Sequence, residues 1–399
     1  MPAEASVPAF EFLSAGRISF GSGALRGAGP AAAALGSRAF VLTGSDPSRA
    51  APLLASLDEA GLAATAYPVG GEPSLELADA ALGAARAFGA DLVIGFGGGS
   101  ALDAAKAVAA LLANPGPVLD YLEVIGAGKP LSRPSLPCIA IPTTAGTGSE
   151  VTKNAVLASR ERGLKASLRS PSMLPRLALV DPELCLGCPP AVTAASGMDA
   201  LAQLLEPFTC NKPNPLVDAL CREGLARVAS SLETACREGG NLRAREDMSL
   251  ASLFGGLALA NARLGAVHGF AAPLGGAFAA PHGALCAALL APVTAVNVAA
   301  LRDRAPDSPA LGRYAEAARI LGGGEGGRGG EARRFEAEDA APVLACLAKR
   351  LGIAPLAGFG IGSADLGAIV EKAATASSMQ GNPIALSPAE LRAALAAAL

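Results

Sequence analysis

Up to about residue 188 the chain alternates short apolar runs with segments of 3.6-residue period; beyond it only the helical period survives. "RAFVLTG" (38–44), "DLVIGFGGGS" (91–100) and "CIAIPTT" (138–144) read as buried strands that end in turns. Between them, "LLASLDEAGLA" (53–63), "ADAALGAARAFGA" (78–90) and "ALDAAKAVAALLA" (101–113) read as helices. Strands alternating with helices in this way build a parallel, doubly wound sheet. From "AVTAASGMDALAQLLEPF" onward the apolar positions recur at helical spacing and no strand pattern persists. The expected architecture is an α/β N-terminal domain over residues 1–189 and an all-α C-terminal domain over 190–399, divided near "CPP" (188–190). The glycine-rich tract "LGGGEGGRGGEARR" (321–334) reads as a surface loop between helices.

Composition narrows the function classes. With 51% hydrophobic and 17% charged residues, the chain can bury a substantial core and is not of disordered type. A net charge of −3, no basic arm and only 4% aromatic residues argue against a nucleic-acid partner. Apolar runs are cut by Gly, Pro or charge before about 18 residues, and "MPAEASVPAFEF" has no signal-peptide pattern. The expectation is a cytoplasmic protein with no membrane span. Eight scattered cysteines, with a single C-x-x-C (Cys185, Cys188) followed by two prolines, read as reduced structural thiols.

Three stretches carry chemistry. "GFGGGSALDAAK" (95–106) puts Gly97, Gly98, Gly99 and Ser100 between a strand and a helix. There the backbone can approach a ligand and the first-turn N–H groups can hold a pyrophosphate; a plain tight turn is the alternative. "IPTTAGTGSEVT" (141–152) supplies hydroxyls from Thr143, Thr144, Thr147 and Ser149 at a strand's carboxyl end, where open α/β sheets bind ligands. Asp199 and Gln203 lie four apart on one helical face. The only two histidines, His268 and His282, both fall within "VHGFAAPLGGAFAAPHG" (267–283). One carboxylate with two imidazoles is a ligand set for Fe(II) or Zn(II); a helix cap and two satisfied core histidines are the blander readings.

Taken in order, "GGGSALDAAK", "PTTAGTGSE", "LVDPEL", "GMDAL" and "HG…PLGG…PHG" resemble the iron-containing (group III) alcohol dehydrogenases over essentially the whole chain. That family includes maleylacetate reductases and is similar in fold to dehydroquinate synthase. The resemblance implies a dinucleotide-binding α/β domain, a helical domain and an active site in the cleft between them. It places Gly97, Gly98, Gly99, Ser100 and Asp103 at the pyrophosphate, Thr143, Thr144, Thr147 and Ser149 on the nicotinamide side, and Lys165 at the cofactor ribose. Asp199, His268 and His282 match three of four metal ligands. Gln203 stands where the family has the remaining ligand histidine, and Ala272 where it has a non-ligating histidine. At the end of the first strand Gly44 replaces the aspartate of NAD-preferring members, with Ser45 and Arg49 nearby, so the cofactor is NAD(P) with a lean to NADP.

The implied activity is hydride transfer between a nicotinamide and a small alcohol/carbonyl pair, assisted by a metal on Asp199, Gln203, His268 and His282. With Ala272 in place of an imidazole, water or the cofactor ribose carries the proton. A metal-independent, maleylacetate reductase-type carbonyl or ene reductase is the alternative; there His268 or His282 acts as proton donor. A non-catalytic nucleotide-binding homologue is the third reading. A homodimer or higher homo-oligomer is expected.

Overall fold

The computed structural model describes residues 9–159, 161–323 and 334–399. Most of the glycine-rich tract read as a loop therefore lies outside the described residues. The strands are β1 (Ile18–Phe20), β2 (Arg38–Thr43), β3 (Ala63–Pro68), β4 (Leu92–Gly97), β5 (Cys138–Pro142), β6 (Asn154–Ser159), β7 (Leu164–Arg169) and β8 (Leu177–Val180). Helices α1 (Ala28–Ala33), α2 (Ala51–Glu59), α3 (Leu75–Phe88) and α4 (Gly99–Ala113) connect the first five strands. Six strands form one sheet in the order β1-β8-β5-β4-β2-β3, with every neighbouring pair parallel. β6 and β7 pair as a separate antiparallel hairpin.

β4 and β5 are buried along their whole length. Successive side chains on a strand point to opposite faces, and the cores divide accordingly. Val41, Leu92, Ile94, Ile139 and Ile141 pack with Leu53 and Leu57 of α2. Phe40, Leu42 and Val93 pack with Ala81 and Ala85 of α3 and Ala104, Ala105 and Val108 of α4. The helix read over 53–63 stops at Glu59 because Gly61 turns the chain with φ 78°, and β3 begins two residues later. β1, β3, β8 and the β6–β7 hairpin were not legible in the pattern: β1 has three residues, and β3 ("AATAYP") is mostly alanine and threonine.

From Pro190 the described chain is helical: α5 (Pro190–Thr209), α6 (Pro215–Arg237), α7 (Leu242–Asn261), α8 (Ala266–Ala277), α9 (His282–Arg304), α10 (Pro309–Leu321), α11 (Ala340–Arg350), α12 (Leu366–Ala374) and α13 (Pro388–Ala396). Proline at the first position of α5 forfeits only an N–H with no intrahelical partner. Pro292 cuts the apolar run of α9, as the sequence reading has it, and the helix continues through the proline. α9 has 23 residues and is apolar enough to cross a bilayer. In the fold it is the central helix of the α-helical core, packed by α5, α8, α11 and α13, with Leu285, Leu289, Leu290 and Val293 buried.

Candidate active site

The sheet order brings the sequence's ligand-type turns together. β2 pairs with β4, and β4 with β5, so Thr43, Phe96, Gly97 and Pro142 end side by side. The chain leaves β2 for β3 on one side and returns to β4 on the other, which is the switch point where such sheets bind ligands. Gly44 and Ser45, Gly97–Ser100 and Thr143–Ser149 leave from these ends. No side chain caps the N-terminus of α4 at Gly98, so its first-turn N–H groups remain available to an anion. A Cβ on Gly99 would stand 2.8 Å from Thr147 Cγ2; only glycine lets the two loops meet. Gly148, at φ 58°, lies against Gly256 of α7, where a Cβ would fall 2.4 Å from the Gly256 Cα. The threonine loop is thus seated directly on the helical half.

Asp103, Ser149 and Lys165 have partners within the protein. Asp103 accepts from the Ser149 hydroxyl (2.5 Å) and the Val156 N–H (2.9 Å), and pairs with Lys106 at 3.0 Å. Lys106, fully buried, donates to the Ser149 carbonyl, the Thr152 hydroxyl and the Asn154 carbonyl. Together they brace the threonine loop. Lys165 on β7 pairs with Glu72 at 2.5 Å and lies against Gly275 of α8. The Asp46 carboxylate accepts from the N–H and hydroxyl of Ser48, and Arg49 donates to the Leu184 carbonyl.

The second cluster draws on α5, α8 and the start of α9. Gly146 of the threonine loop lies against Ser196, one turn before Asp199 on α5. His268 Nε2 is 3.5 Å and His282 Nε2 3.9 Å from Asp199 Oδ1. The Gln203 amide donates to Asp199 Oδ2 at 3.3 Å. Two residues that the sequence reading missed complete the group. Glu206, one further turn along α5, meets His268 Nδ1 at 2.5 Å and accepts from the Val267 N–H at 2.7 Å. Cys286, four residues after His282 on α9, places its sulfur 3.6 Å from His282 Nε2. Ala272, also on α8, adds no polar group.

Electrostatics point to a cation. A carboxylate only accepts, so His268 donates from Nδ1 to Glu206 and turns Nε2 toward Asp199; in the neutral ring that atom's lone pair meets another acceptor. Asp199 Oδ1, His268 Nε2 and Gln203 Oε1 are buried and have no hydrogen-bond partner among the described residues. With the His268 ring neutral, Asp199 Oδ1 and His268 Nε2 face one another at 3.5 Å without a donor, which is costly; a proton on Nε2 or a divalent ion would resolve it. Burial works against charge on Asp199, yet the His268 hydrogen bond and the two imidazoles hold its carboxyl below the usual range. Burial likewise opposes a charged His268, and is outweighed by Cys286, Glu206 and Asp199, which raise it well above an ordinary imidazole. His282 is raised as well, chiefly by Cys286.

Residues 15–182 match the family model described as iron-containing alcohol dehydrogenase, and residues 193–399 match that of the family's C-terminal region. The chain belongs to the iron-containing alcohol dehydrogenase family. It is an oxidoreductase acting on CH–OH groups. It is 40% identical over 289 residues to "Probable alcohol dehydrogenase EutG" of Salmonella typhimurium, covering 71% of this chain and 72% of that one. It is 38% identical over 282 residues to the sulfoacetaldehyde reductase of Bilophila wadsworthia, covering 69% and 71%. Among solved structures, a 1,3-propanediol oxidoreductase superposes with a TM-score of 0.88 at 31% identity, over 98% of this chain and all of that one. The sulfoacetaldehyde reductase of Bifidobacterium kashiwanohense in complex with NAD+ gives 0.84 at 28%, over 98% and 99%. The iron-containing alcohol dehydrogenase fold is the parallel α/β sheet plus helical half described above.

Proposed function

We propose that this iron-containing alcohol dehydrogenase interconverts a short aldehyde and its alcohol with NADP, at a divalent-metal site on Asp199, His268 and His282. The carrying observation is the convergence of Asp199, His268 and His282, with Asp199 Oδ1 and His268 Nε2 buried and 3.5 Å apart. Residues 1–189 act as the cofactor half and 190–399 as the metal and substrate half. A divalent ion held there supplies Lewis acidity toward a substrate oxygen.

The chain's own residues do the rest. The α4 N-terminus receives the pyrophosphate. Thr144 and Thr147 line the nicotinamide side, held by the Asp103–Ser149–Lys106 brace. At the adenine ribose, Gly44 offers no carboxylate to repel a 2′-phosphate, and exposed Ser45 and Arg49 stand near it. The Asp46 carboxylate is already committed to the Ser48 turn, which supports NADP over NAD. Glu206 fixes the His268 tautomer and ring. His282, with a side chain 35% exposed, marks the open side of the site. A short aldehyde agrees with the names of the sulfoacetaldehyde reductase relatives. Phe270 of α8 is fully buried in the helical core and does not line the site.

The test is metal analysis of anaerobically purified protein, with NADPH and NADH oxidation measured over a panel of short aldehydes before and after chelation. Stoichiometric metal with chelator-sensitive NADPH oxidation is expected. Undiminished turnover in metal-free protein would overturn the metal-assisted reading.

A further inference from the structure

We propose that Cys286, as a thiolate, is the fourth protein ligand of the metal on Asp199, His268 and His282, and that Gln203 stays outside the coordination sphere. The inference rests on the metal reading above and assigns a ligand that neither the family resemblance nor the sequence motifs supply.

Four observations carry it. The ligand atoms of Asp199, His268, His282 and Cys286 all lie within 4.8 Å of one another. Two of them, Asp199 Oδ1 and His268 Nε2, are buried without a partner and face this point. The Cys286 sulfur is 3.6 Å from His282 Nε2. A sulfur at ~2.3 Å and a nitrogen at ~2.0 Å from one tetrahedral Zn(II) stand about 3.5 Å apart. Gln203, by contrast, spends its amide N–H on Asp199 Oδ2, so it orients the carboxylate as an outer partner.

Charge favours the same assignment. A buried divalent ion on one carboxylate and two neutral imidazoles keeps one positive charge on its own ligand set, met only from outside by the Glu206 carboxylate behind His268. A neutral glutamine oxygen leaves that charge in place. A thiolate cancels it. As the ion binds, the thiol proton leaves to solvent and a metal–sulfur bond forms, with no change of oxidation state. Sulfur is a soft donor, so the exchange of a family histidine for Cys286 moves the preference from Fe(II) toward Zn(II). Zn(II) also accepts a fifth ligand, so four protein donors do not close the site.

The experiment is anaerobic titration of the full-length apoprotein with Co(II), reading bound cobalt by elemental analysis and the ligand set by absorption. Wild type should bind cobalt stoichiometrically and show a near-ultraviolet thiolate-to-cobalt charge-transfer band. Gln203→Ala should keep that band. Cys286→Ser should lose it while retaining the visible cobalt bands, and should bind Zn(II) weaker by more than the roughly 100-fold that an outer partner's loss costs. Bound cobalt without the band, or a band that survives in Cys286→Ser, overturns the assignment and leaves the metal reading intact. Failure to bind cobalt overturns both. Should Cys286→Ser not fold, zinc-edge X-ray absorption of the wild type decides. A sulfur shell at about 2.3 Å supports the proposal, and a shell of nitrogen and oxygen alone overturns it.

Discussion

Replacing Glu150 by glutamine should change how the protein's stability depends on pH. Glu150 sits in the turn after the threonine loop and is 1% exposed, and its Oε2 has no partner. Burial raises its carboxyl from 4.5 to about 7, against a backbone hydrogen bond and the Lys106 charge. Between those two values the folded chain holds a proton that the unfolded chain has released. Stability therefore falls as pH rises from 4.5 toward 7, then levels off. A shift of that size corresponds to about 3 kcal/mol. Glu150→Gln removes the titration and leaves the shape. Its own buried amide carries a constant cost of roughly 1–3 kcal/mol, which does not vary with pH. The assay is urea unfolding of both proteins at several pH values, plotting the variant-minus-wild-type difference so that all other groups cancel. The difference should move in the variant's favour by about 3 kcal/mol across the window. A flat difference would refute the argument that burial sets the state of Glu150.

Four further outcomes are expected. Glu206→Gln removes the charge behind His268 and should weaken zinc binding by roughly 10–100-fold in equilibrium dialysis. Gly256→Ala places a Cβ 2.2 Å from the Gly148 carbonyl oxygen; it should cost about 1–3 kcal/mol in unfolding and raise the KM for the nicotinamide cofactor more than that for aldehyde. Gly44→Asp should shift the ratio of kcat/KM for NADH over NADPH upward by roughly tenfold or more, about 1.4 kcal/mol, as the new carboxylate repels the 2′-phosphate. Because the imidazoles of His268 and His282 are raised, protons compete with the metal to higher pH than for ordinary histidines. Zinc affinity should fall as pH is lowered through that range, and metal binding should release protons.

Much of the site was legible because it is written in local spacing. Glycines between strand and helix, hydroxyls at a strand's end, and Asp199 with Gln203 one turn apart are patterns that a few neighbouring residues specify. Glu206 and Cys286 were equally within reach. Glu206 follows Asp199 by seven on α5, and Cys286 follows His282 by four on α9, so each shares a helical face with a flagged residue. A cysteine inside an apolar run reads as core, however, and a glutamate seven residues on reads as a solvated face. Neither signal separates burial against a histidine from burial against leucine. Asp103 and Ser149 lie 46 residues apart in the chain. Their residue types suit a cofactor, and the hydrogen bond between them could not be read from their spacing.

Periodicity and backbone freedom act over a few residues, so the change from β–α alternation to helix near residue 189, the turns at the strand ends and the inventory of donor atoms are all set locally along the chain. Only the tertiary structure decided which of these meet. The order β5-β4-β2 sets three turns side by side, close contact at Gly148 and Gly256 joins the sheet half to the helical half, and α5, α8 and α9 converge at Asp199. That convergence depends on shape complementarity between segments up to some eighty residues apart (Asp199 to His282), and no local pattern in the chain encodes it.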